Sequence, residues 1–184
     1  MKVKNVVAIA TRLILNGELA TKIENGTTLT TDEQEEANKL LRAFNLTLNE
    51  VATEYLSTSA EERKYGSAVN FSSLSHTPSE IRSVKGENGD DVSFKVLSDK
   101  IKIYENGWHY IRYNYLPSDR ALTDDFDYEN SKVGARAFAY GTASEYLLMS
   151  GRYEEAQNYR IKFEKSATSP LTKTVRKIKG RIWG

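Results

Sequence analysis

The residues of this 184-residue chain that could do chemistry are carboxylates, two histidines and tyrosines, because there is no cysteine to supply a thiolate, a disulfide or a nucleophile. Asp124, Asp125, Asp127 and Glu129 cluster as a calcium loop would, but the spacing lacks the central glycine and the terminal bidentate glutamate such a loop needs. They read instead as a solvated connector whose acids favour the next helix N-terminus. His76 and His109 lie in different segments without a second ligand at useful spacing, so no metal site is expected. No phosphate-binding glycine loop, nucleophile elbow or HExxH is present. Two other readings follow from residue type. Acids near Trp108 could form a hydrolytic pair if a deep pocket brought them together. Tyr104, Tyr110, Tyr113 and Tyr115 could stack on bases, with packing the plainer role for tyrosine in strands.

A further candidate lies at the end of the sequence. After Pro170 come Lys173, Arg176, Lys177, Lys179 and Arg181 with no acid among them, interleaved with Leu171, Val175, Ile178, Ile182 and Trp183. The five basic residues fall at mixed spacing, and the apolar ones are too few for a core. Residues 170–184 therefore read as an arm for a partner, with Trp183 as an anchor. The chain holds 26 basic and 25 acidic residues. Without the arm's five, the rest is mildly acidic, which argues against a main surface that grips nucleic acid. No window is apolar enough to span a bilayer. The first residues read as a short amphipathic helix rather than a signal peptide, because Thr11 and Arg12 interrupt the apolar run.

The elements expected to position these residues run helices, strands, helices. Val3, Val6, Val7, Ala10 and Ile14 form one helical stripe, ended by Asn16-Gly17. Thr31 and Gln34 form a capping box, and Ala37, Leu40, Leu41, Phe44, Leu48, Val51, Ala52 and Tyr55 continue at helical steps. From about residue 65 to 117 apolar residues alternate with polar ones between turn signals, which predicts a small antiparallel β unit. Asn106-Gly107 marks a hairpin between Ile101/Ile103 and the strand from Trp108. Residues 118–130 form an acidic connection. Small residues and aromatics then alternate up to Met149, Gly151 breaks the run, and Tyr153, Ala156, Tyr159 and Phe163 resume at helical spacing: an αα-hairpin over 131–167, packed on the helix that follows Thr31. The GRYEEA stretch resembles part of a tetratricopeptide repeat but occurs once, so no solenoid is expected. The fold class is α+β: one domain over 1–169, helical over 1–64 and 131–169 with the β unit inserted, followed by the C-terminal arm.

This layout, and above all AFAYGTASEYLLMSGRYEEAQNYRIKFEKSA from Ala137 to Ala167, resembles the head-to-tail connector (adaptor) proteins of tailed bacteriophages, of the tail tubular protein A type. The resemblance implies a non-enzymatic subunit without a cofactor, in a homo-oligomeric ring of about twelve copies. Such a ring sits in the virion neck after assembly in the host cytoplasm. It docks on the portal protein through its C-terminal extension, carries DNA without sequence-specific binding, and offers a platform to a downstream tail protein. The alternative is a nucleic-acid-binding module using the basic tail and the strand tyrosines.

Overall fold

The computed structural model describes residues 1–14, 17–126, 128 and 133–168. It is an α+β fold with a small antiparallel β unit inserted in a helical chain. The arm, residues 170–184, lies outside the described residues, as do Asp127 and Glu129. Contacts divide the chain into two compact units: a helical one comprising Met1–Thr47 with the chain from Arg120 onward, and a β unit, Leu48–Asp119.

Among the described residues there are five helices, α1 (Val3–Ile14), α2 (Gly17–Asn25), α3 (Thr31–Glu50), α4 (Ala135–Met149) and α5 (Tyr153–Thr168), and all but α2 follow the apolar periodicity read from the sequence. The stripe of α1 buries Val3, Val6, Val7 and Ala10 completely. Gly17, read as part of the stop to the first stripe, starts α2, a helix not expected from the sequence. The cap of α3 sits one residue earlier than expected. Thr30 Oγ1 accepts from the Glu33 N–H at 3.4 Å and Glu33 Oε2 accepts from the Thr30 N–H at 2.9 Å, so Thr30 and Glu33 form the box rather than Thr31 and Gln34. A single π turn, Val51–Tyr55, extends α3.

The αα-hairpin forms as expected and packs on α3. Gly141 of α4 permits a close approach: a Cβ there would lie 2.3 Å from Thr47 Cγ2 and 3.1 Å from Phe163. Phe44, Phe126 and Phe138 are fully buried or nearly so, with edge-on ring contacts of 5.1 Å from Phe126 to each of the others. The turn ends α4 with both bonds of a Schellman motif, Gly151 N–H to Leu148 O at 3.1 Å and Arg152 N–H to Leu147 O at 2.9 Å. Gly151 takes the left-handed φ of 73° that the motif demands.

The acidic connection, exposed or half-buried at residues 118–125, also carries structural bonds that its composition did not suggest. Its carbonyls satisfy the free amides at the start of α1, Asp124 O accepting from Val3 at 3.0 Å and Leu122 O from Lys4 at 3.1 Å. Phe126 and Tyr128, set among the acids, enter the core. Asn45 pins its beginning, donating to Arg120 O and accepting from Arg120 N–H.

The β unit holds two three-stranded antiparallel sheets, β1 (Thr58–Tyr65), β6 (Trp108–Tyr115) and β3 (Pro78–Gly86) in one, and β2 (Ala68–Asn70), β5 (Lys100–Ile103) and β4 (Phe94–Val96) in the other, with β6 and β5 central. Val84, Ile111 and Tyr113 of the first share a core with Val69, Ile101 and Ile103 of the second. Strand structure begins at Thr58, earlier than the expected 65. Asn106-Gly107 is not a hairpin turn, because β5 and β6 belong to different sheets. Neither residue has the positive φ that a type I′ turn requires. The tight hairpin is instead at Ser98-Asp99, where Leu97 N–H donates to Lys100 O at 2.8 Å.

Candidate functional site

The central strand β6 sorts its side chains by the two-residue period of a strand. His109, Ile111 and Tyr113 point into the core, while Trp108, Tyr110 and Arg112 are exposed. Register then assembles an outer face that no local stretch of sequence shows. Tyr65 stands opposite Trp108, Arg63 opposite Tyr110, Glu61 opposite Arg112 and Ser59 opposite Asn114, with Lys85, Ser83 and Glu80 completing the last three rows from β3.

One end of this face is aromatic. Tyr65 and Trp108 are 60% and 43% exposed and meet edge-on at 5.3 Å. The Arg63 guanidinium lies 4.4 Å above the Trp108 ring and 5.9 Å from Tyr110, and it also pairs with Glu87. Trp, Tyr and Arg are the residues that dominate energies at protein interfaces.

The other end is a polar pocket of about 400 Å³ lined by Ser57, Ser59, Arg82, Ser83, Arg112 and Asn114. A break in strand register between Ile81 and Ser83 inserts Arg82 as an extra residue, so Arg82 and Ser83 line the same pocket instead of alternating. Glu80 accepts from Asn114 Nδ2 at 3.0 Å and pairs with Arg82 at 3.3 Å.

Behind the face, Tyr113 donates to the carboxylate of Glu62, which also accepts from the Ser75 N–H at 2.8 Å and pairs with Lys64 at 3.0 Å. Burial alone would raise the Glu62 pKa, but these three partners outweigh it and hold the carboxyl at about 2. Burial and the same carboxylate push Tyr113 up to about 12. The His76 ring stacks on Tyr115 at 4.0 Å. These contacts fasten the loop before β3 to β1 and β6.

The four strand tyrosines do not converge. Tyr104 and Tyr110 are exposed, whereas Tyr113 is in the core and Tyr115 is half-buried against His76. His109 is buried, its Nε2 3.2 Å from Glu105 O. Among the described residues no three of His, Cys, Asp and Glu cluster as metal ligands, and no helix is long and apolar enough to cross a membrane. All ten arm residues named as candidate partner contacts, Leu171, Lys173, Val175, Arg176, Lys177, Ile178, Lys179, Arg181, Ile182 and Trp183, lie outside the described residues. The sequence drew attention to Trp108 and Tyr110 but missed Arg63, Arg82 and Arg112. They come from three strands far apart in sequence, and only register places them on one face. In comparisons with known proteins, no family model matches the chain and no curated protein matches it.

Proposed function

We propose that this chain is a structural subunit of a bacteriophage head-to-tail connector, forming a ring of about twelve copies in the virion neck after assembly in the host cytoplasm. The ring docks on the portal protein, extends the DNA channel and presents a platform to a downstream tail protein. One observation carries the reading. A helical unit built from both flanks of the sequence, and closed by the α4–Gly151–α5 hairpin, is interrupted by a separate β unit, which is the arrangement the family resemblance implies.

The exposed Tyr65, Trp108 and Arg63 add support, since they are what an assembling subunit offers a neighbour. The work is assembly rather than catalysis, with DNA passing without sequence-specific binding. A nucleic-acid-binding module is the weaker reading, because Tyr110 and Tyr113 fall on opposite sides of β6 and Tyr104 lies outside that strand.

Removing residues 170–184 should leave the melting temperature nearly unchanged while abolishing attachment to the cognate portal protein. Normal attachment of the truncated chain would overturn the role given to the arm. Attachment of the intact chain that is lost at high salt would assign the anchoring to the arm's five basic residues instead of Trp183.

A further inference from the structure

The pocket at the Arg112 end of the outer sheet face is built for a ligand that accepts many hydrogen bonds. Its lining is two guanidiniums, three hydroxyls and one amide, with no carboxylate among the six. Arg112 forms no hydrogen bond or ion pair with any other described residue, so its forked donors are unspent. The nearest opposing charges are Glu80, already held by Asn114 and Arg82, and Glu61, which stands across from Arg112 in register without pairing to it and is not part of the lining. Arg82 is on this face only because of the register break in β3, a device that commonly re-aims a side chain beside a site.

We propose that this pocket is an oxyanion site that takes a phosphoryl group. A guanidinium fork matches two phosphate oxygens at once, and a phosphoryl group has a further oxygen or two for hydroxyl donors. A carboxylate also fits one fork, but its two oxygens lie in one plane, whereas the tetrahedral oxygens of a phosphoryl group, ester oxygens included, reach hydroxyls off that plane. The phosphoryl group comes either from a small phosphorylated molecule or from a nucleic-acid backbone. This assignment is independent of the connector reading.

The test is titration of the full chain with inorganic phosphate, following amide and arginine Nε–Hε NMR signals at constant ionic strength, beside parallel titrations with chloride, acetate and a short oligothymidylate. Saturable shifts at Ser59, Ser83 and Arg112 with phosphate are expected, weakened about tenfold in Arg112→Met, which loses a charge-assisted fork. Ser83→Ala keeps both charges and should weaken binding by a smaller factor, about threefold, so it decides the matter if Arg112→Met fails to fold. Tighter binding of oligothymidylate, displaced by phosphate, identifies a nucleic-acid backbone as the source. Shifts with phosphate alone identify a small phosphorylated ligand. Shifts no larger than with chloride, acetate binding as tightly as phosphate, or affinity unchanged in both variants would overturn the proposal.

Discussion

In the helical unit the phenol of Tyr146 donates to Glu36, 110 positions away, and in the β unit Tyr113 donates to Glu62 across 51 positions. Burial, reinforced by the carboxylate, raises both tyrosines to about 12. The two units therefore use one residue pair in one way, to tie together segments distant in sequence. They differ in what they do with their other aromatics. The helical unit turns Phe44, Phe126, Tyr128, Phe138 and Phe163 inward and leaves Tyr153 exposed at the start of α5, away from any aromatic cluster. The β unit leaves Tyr65, Trp108 and Tyr110 at the surface beside unburied arginine. An aromatic kept in water costs solvation that folding does not recover, so the outer sheet face is where selection for a partner rather than for stability is to be sought.

The sharpest test of that contrast is a pair of truncations. Phe44→Ala should cost about 3 to 5 kcal/mol in denaturant unfolding, because a fully buried ring leaves a cavity. Trp108→Ala should cost less than about 1 kcal/mol, the scale of an exposed cation–π contact. Equal costs would erase the distinction. Between these extremes, Gly141→Ala should cost about 1 to 3 kcal/mol, since its methyl group collides with Thr47 where α4 meets α3. No measurable loss there would mean the helices separate freely.

A separate test concerns pH. Glu62 is held at about 2 in the fold, below its ordinary value of about 4 in an unfolded chain, so its contribution is complete above about pH 4 and disappears as pH falls through 2. Glu62→Gln should flatten the stability curve across that window. The two tyrosines behave oppositely. Their folded pKa is raised, so their contribution holds below about pH 10 and is lost as pH climbs through 12. A Glu62→Gln curve parallel to the parent's would show that the carboxylate carries no acid-linked stability.

Much of the helical unit was legible because its signals are local. The stripe of α1, the run from Ala37 to Tyr55 and the break at Gly151 each appear within one element. What escaped was set by distant partners. Strand β1 turns Thr58, Ala60, Glu62 and Lys64 toward the half-buried side, so it shows no apolar alternation. Helix α2 buries only Leu19, Ala20 and Ile23, too short a stripe to register as a period. Phe126 was hidden in a run of acids, of which the described Asp125 stays exposed while the Phe126 ring goes in. Asn106-Gly107 is a sound hairpin signal overridden by the partition of β5 and β6 between sheets. The pocket depends on an extra residue in β3, and nothing in the local sequence marks where a strand slips register.

The most direct test of the connector proposal is negative-stain electron microscopy of the full-length chain mixed with its cognate portal protein. The account predicts rings with the symmetry of the portal, stacked coaxially on it. Particles that remain monomeric and apart from the portal at concentrations well above those of assembly would contradict it.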